Sequence, residues 1–337
     1  MKHERKLIAN FDSVVAHVRN TSDRVDCSGA AIVIMQNDTI VTEEYWGKQS
    51  KEEHARLIQE DTQFHVASVR KSYIGFTVAY AAKEGYISSI DDLVSSYLSE
   101  IDSTILAKTT LRHLLTHTHG LTKKDGKLER EFSPGQNWAY RGVGIDMLTQ
   151  IVKRTTGKTV SAILTEQVFI PRKLKETGWY GISNENLVEV IRNPQDRSWY
   201  TSESTDGDKM NMYVSARELA KWGLLHLNQG KSEGEQVVSS EVLALATTLQ
   251  SPHLIDSDLP QNGFLWFVKD LPANKSEIGE QVPQGSYQIF GYTGVTLLVI
   301  PQHSIVAVRA FNSFGSPEGF DYLSDVRAFG DSIMQCI

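Results

Sequence analysis

The chain has 337 residues, 40% of them hydrophobic, and a formal net charge of −7. That length exceeds one average domain and supplies ample material for a core, so one large or two intertwined domains are expected. An acidic chain without a Lys/Arg run lacks the footprint of a nucleic-acid binder, and no apolar stretch reaches the roughly 18–20 residues of a membrane span.

The basic start (Lys2, Arg5, Lys6) is followed by Asp12, His17 and Arg19 where a signal peptide would need an apolar stretch. A cytoplasmic protein is therefore expected, with no membrane partner. Two cysteines, Cys27 and Cys336, exclude a cysteine-based zinc site by count, and reduced thiols are the expectation for that compartment.

Leu7, Phe11, Val14, Val15 and Val18 form one helical stripe. Ala30 to Met35 is apolar at every position, and Thr39 to Trp46 follows a tight Asn37-Asp38 turn. These read as two strands, and continuous apolarity implies that both faces are covered. Ser68 to Glu84 predicts a largely apolar helix ended by Gly85, and Ile145, Leu148, Ile151 and Val152 mark another ended by Gly157. The polar stretch from about 182 to 211 reads as a long surface loop bordering the site. Ser215-Ala216-Arg217-Glu218 is a capping box opening a helix with Leu219, Trp222 and Leu225 facing inward.

Toward the C-terminus, Phe264 to Lys269, Ser286 to Tyr292, Val295 to Ile300 and Ile305 to Phe311 are strand-like, before a helix striped by Tyr322, Val326, Phe329 and Ile333. The pattern predicts an α+β fold, an antiparallel sheet from both chain ends covered by helices on both faces. Residues 1–65 and 240–337 would form the sheet domain and 66–239 a mainly helical insertion, with the active site between them.

Ser68-Val69-Arg70-Lys71 is a Ser-x-x-Lys motif, which puts hydroxyl and amine on one helical face. Serine needs a base to become a nucleophile, and lysine serves only if burial or a neighbouring cation lowers its pKa. Alone the spacing is weak, and a capping serine beside a solvated lysine fits it equally well.

The rest of the chain carries more. Asp91-Asp92-Leu93-Val94, Thr110-Leu111-Arg112-His113-Leu114-Leu115-Thr116-His117-Thr118 and Gly120-Leu121 occur in order, followed by Phe132-Ser133-Pro134-Gly135 with Trp138 and Tyr140. With these segments the chain resembles the serine β-lactamase and penicillin-binding-protein superfamily, in its class C-like esterase and 6-aminohexanoate-dimer-hydrolase branch. The resemblance implies Ser68 as nucleophile and Lys71 with Tyr140 as proton carriers, with no cofactor and no metal. Gly291-Tyr292-Thr293-Gly294 resembles the family's Lys-Thr-Gly strand. That implies substrate contacts at Tyr292, Thr293 and Gly294, and an oxyanion hole from the backbone N–H groups of Ser68 and Val295. A buried aromatic at 140 and an edge strand with a glycine bulge at 291–295 are the plainer alternatives.

Three positions depart from the family's pattern. Gly142 stands where an Asn would contact a substrate amide, and Tyr292 replaces a cationic lysine. His119 extends a His113, His117, His119 cluster that lacks a nearby carboxylate and reads as structural. Arg141 is a candidate substitute cation if its side chain points inward. The expected partner is a small ester or amide. A weak β-lactamase, a D-amino-acid peptidase and a catalytically idle binding protein are the competing readings.

Overall fold

A computed structural model describes residues 4–7, 9–196 and 198–337. Residues 1–3, in the basic start, and Arg197, within the polar 182–211 stretch, lie outside the described residues, as does residue 8.

The core is a seven-stranded antiparallel sheet. Its order is Gln261–Asn262, Phe267–Lys269, Ser286–Phe290, Thr296–Ile300, Ile305–Phe311, Gly29–Gln36 and Thr39–Gly47. Both ends of the chain thus build one sheet, as the hydrophobic runs predict. The first hairpin turns at Asn37 and Asp38, with φ of 50° and 63°, the left-handed pair that matches strand twist.

Alternation explains the unbroken apolarity. Ala30, Ile32, Ile34, Leu298, Ile300, Ile305 and Ala307 face one core; Ala31, Val33, Met35, Leu297, Val299, Val306 and Val308 face the other. The first core is closed by the helices Asp12–Arg24 and Tyr322–Met334. Their stripes are buried as expected from Phe11 to Val18 and from Val326 to Ile333, but Leu7 is exposed and precedes the helix. Phe264–Trp266 also differs from expectation: Leu265 has φ of 66°, so the segment turns and the strand begins only at Phe267.

The other face carries the helix Ala216–Leu227. A Cβ at Gly223 would lie 2.6 Å from Val306 and 2.7 Å from Leu297, so only glycine allows this approach. Ser215 Oγ accepts from Glu218 N at 3.1 Å. Glu218 does not complete the box; its carboxylate accepts instead from Lys175 N, Glu176 N and Thr177 Oγ1. From this helix Trp222 stacks on Tyr73 at 4.2 Å and donates to Ser72 Oγ, fixing the helix Arg70–Lys83 above the sheet. That helix ends at Gly85 (φ 78°), and the helix Val143–Thr156 ends at Gly157 (φ 71°), as predicted.

One ion pair crosses the first core. Arg309, fully buried in its strand, meets Asp325 of the last helix at 2.6 Å, and Thr21 donates to the same carboxylate at 2.7 Å. Removing one partner strands the other charge out of water, which costs far more than removing both. Asp325→Ala should therefore destabilise by about 3–5 kcal/mol in urea unfolding, and the double variant R309M/D325L by much less. A double variant as unstable as the single one would refute this account.

Candidate active site

The site forms where the short strand Gln63–His65 turns into the helix Arg70–Lys83. Ser68 lies in the intervening 3-10 turn, Ala67–Val69, which runs directly into that helix. Ala67 has φ of 45°, a strained value for a residue with a side chain, immediately before Ser68. The turn is held from the sheet. Thr293 Oγ1 donates to His65 O at 2.6 Å, and Tyr322 Oη donates to Gly291 O at 2.6 Å. A Cβ on Gly291 would lie 2.2 Å from Val66 O, so the 291–294 turn abuts the backbone leading to Ser68.

Ser68, Lys71 and Tyr140 are brought together. Lys71 Nζ is hydrogen-bonded to Ser68 Oγ at 2.6 Å and to Tyr140 Oη at 2.8 Å. Lys71 is only 6% exposed. Burial holds its amine well below the usual lysine range, the Arg70 charge adds to this, and Asp146 opposes it. Burial pushes the Tyr140 phenol up to about 12, against the hydrogen bond from Ser68 and the charge of Arg70. The phenol ring is packed by His117 at 4.6 Å and by Trp138 and Phe267 beyond it. Trp138 is anchored by donating to Asn262 Oδ1 at 2.8 Å.

The 291–295 segment lies beside the nucleophile, with Thr293 and Val295 buried. Gly294 has φ of 84°, and a Cβ there would sit 2.6 Å from Phe311. Tyr292 is 40% exposed and packs against Phe314 and Tyr322, presenting an aromatic face where a cation was expected by resemblance. Arg141 does not join the cluster. Its guanidinium pairs with both oxygens of Glu131 at 3.0 Å, turned away from the lysine. Gly142 has open space around its missing Cβ.

The three histidines have separate places. His113 Nδ1 closes the N-terminus of its own short helix through Thr110, His119 Nδ1 accepts from Leu121 N, and His117 lies on Tyr140. Burial lowers the pKa of all three. Both cysteines are free thiols.

Sequence reasoning missed two features. The 182–211 segment is partly ordered by pairing Ile191–Arg192 with Ser313–Phe314, and by Asn211, whose amide donates to the carbonyls of Tyr180, Ser202 and Ser204. It walls a cavity of about 380 Å³ lined by His65, Trp199, Tyr200 and Tyr213. The adjacent aromatic pair Trp199-Tyr200 within a polar stretch was the available signal. The second is Arg70, buried at 6% exposure next to Lys71.

A serine, a buried lysine and a tyrosine in mutual contact, at the junction of a two-faced antiparallel sheet and a helical layer, define a β-lactamase/transpeptidase-type fold. The chain belongs to the Beta-lactamase family, whose sequence model matches residues 14–331, a family of generally hydrolytic serine enzymes. It is 65% identical to an uncharacterized protein of Alkalihalophilus pseudofirmus over 98% of both chains. Among solved structures it resembles a penicillin-binding protein homologue from Caulobacter crescentus, with TM-score 0.79, 15% identity and all of both chains covered. It also resembles EstCE1, described as a hydrolase with promiscuous acyltransferase activity, with TM-score 0.72, 18% identity, and 96% of this chain and 100% of that one covered. Among the described residues, no helix is long and apolar enough to cross a membrane.

The contact at Gly291 yields a direct test. Gly291→Ala must move either the turn or the Val66 backbone, and a misplacement of about 1 Å can cost roughly hundredfold in rate. Covalent labelling by a fluorophosphonate should fall by about that factor while circular dichroism stays unchanged. Full-rate labelling would show that the abutment does not position Ser68.

Proposed function

We propose that the protein hydrolyses carboxylic esters or small amides through an acyl-enzyme formed on Ser68. The observation that carries this reading is the Lys71 amine, buried and bonded to both the Ser68 and Tyr140 hydroxyls. Ser68 Oγ attacks the carbonyl carbon while its proton passes into the Lys71–Tyr140 pair. Collapse of the tetrahedral species breaks the bond to the alcohol or amine, which takes that proton as it leaves. Water then attacks the acyl carbon, gives a proton to the same pair, and Ser68 is released with its proton restored. The Ser68 and Val295 backbone N–H groups serve as oxyanion donors in this scheme, and Thr293, Gly294 and Tyr292 border the substrate. No metal or cofactor is required by these steps.

Ester is preferred over β-lactam or peptide for reasons of charge. Gly142 offers no side-chain donor to a substrate amide, Tyr292 offers no cation, and Arg141 is engaged with Glu131. A simple ester needs none of the three. The description of EstCE1 as a hydrolase is compatible with this choice.

Fluorophosphonate should label the wild type at Ser68 and fail to label Ser68→Ala. Lys71→Ala and Tyr140→Phe should each lower ester turnover by about 10²–10⁴-fold. A short p-nitrophenyl ester should turn over faster than a chromogenic cephalosporin; the reverse order would replace the ester reading with a β-lactamase one. Absence of any Ser68-dependent adduct would point to a binding protein.

A further inference from the structure

Arg70 is an unusual resident of this site. It is the first residue of the helix Arg70–Lys83, adjacent in sequence to the lysine, and only 6% of it is exposed. Its Nε and Nη1 have no hydrogen-bond partner, and no carboxylate among the described residues forms an ion pair with it. Tyr200, from the 182–211 segment, is hydrogen-bonded to it, and its charge is felt by Tyr140, Asp146 and His65. Asp146 is a weak counterweight: its carboxylate is 44% exposed and shared with Lys123 at 3.7 Å.

An unpaired guanidinium out of water is expensive to keep and cannot shed its proton. The neighbouring amine can. Two cations on consecutive residues of one buried turn would repel each other, and the repulsion is relieved only by deprotonating the lysine. The groups around Lys71 offer little resistance. Ser68 and Tyr140 are neutral hydroxyls, His117 is a buried imidazole whose own pKa is lowered, and Asp146 is screened by solvent. The 291–295 turn brings no cation, because position 292 is Tyr.

We propose that Arg70 is a positioning residue for acylation: its fixed charge keeps Lys71 as the neutral amine that takes the Ser68 proton. With Lys71 neutral, the 2.6 Å contact has the Ser68 hydroxyl donating to the amine lone pair, the geometry of a general base before attack. This inference rests on the acyl-enzyme reading above and assigns the base within it.

The sign of the pH effect follows. Activity needs neutral Lys71, so it is lost as pH falls through the pKa of that amine. Removing the Arg70 charge raises that pKa and moves the acidic limb upward.

The test is the pH dependence of fluorophosphonate labelling and of p-nitrophenyl acetate kcat/KM in wild type, Arg70→Met and Arg70→Lys. R70M should move the acidic limb up by about one pH unit or more, lose about tenfold at neutral pH, and recover at higher pH. R70K should bring the limb back toward wild type. If R70M does not fold by circular dichroism, R70Q makes the same comparison. An unmoved limb in R70M or R70Q overturns the proposal, as does R70K displaced as far as R70M. An unmoved limb with KM raised only for a carboxylate-bearing ester overturns it in favour of substrate recognition by Arg70. A wild type that takes no label at any pH defeats the hydrolase reading itself; a labelled wild type with an unmoved limb defeats only the role of Arg70.

Discussion

Keeping a lysine amine out of water between two hydroxyls is the constraint around which this molecule is arranged. Lys71 is 6% exposed, and its amine is hydrogen-bonded to Ser68 and Tyr140 with no carboxylate paired to it among the described residues. Burial and the neighbouring guanidinium both hold the amine below the usual lysine range, against the opposing charge of Asp146.

Holding three side chains from two separated segments at hydrogen-bond distance requires rigid supports. The nucleophile turn is supported from the sheet by Thr293, by the close contact of Gly291 with Val66, and by Tyr322 from the last helix. The helix bearing Lys71 is supported from below by the Trp222–Tyr73 stack, itself seated on the sheet through Gly223. Tyr140 is supported by Trp138, anchored to Asn262. The Thr293 and Gly291 contacts tie the nucleophile turn to the sheet, so the site depends on both chain ends pairing correctly in it. The buried Arg309–Asp325 pair ties the last helix to that sheet.

Arg141, the cation closest in sequence to Tyr140, spends its guanidinium on Glu131, and Tyr292 presents an aromatic ring. The 182–211 segment contributes Trp199 and Tyr200, and the strand Met212–Ser215 contributes Tyr213, to the aromatic lining of the cavity.

Much of the architecture was legible in the residues. Strand runs such as Ala30 to Met35 are apolar on both faces, the glycines at 85 and 157 end helices, and the Ser-x-x-Lys spacing places hydroxyl and amine on one side of a turn; these are local properties that periodicity and backbone sterics decide. The resemblance of whole segments then pointed to Tyr140 and the 291–295 turn. Side-chain direction was not legible, because it depends on partners far away in sequence. Arg141 turns outward since Glu131 is within reach, and Glu218 leaves its capping box because backbone donors at 175 and 176 compete for its carboxylate. Arg70 reads in sequence as an ordinary charged residue of a first helical turn. Only the packed structure, which encloses it without a counter-charge beside Lys71, turns it into part of the electrostatics of the site.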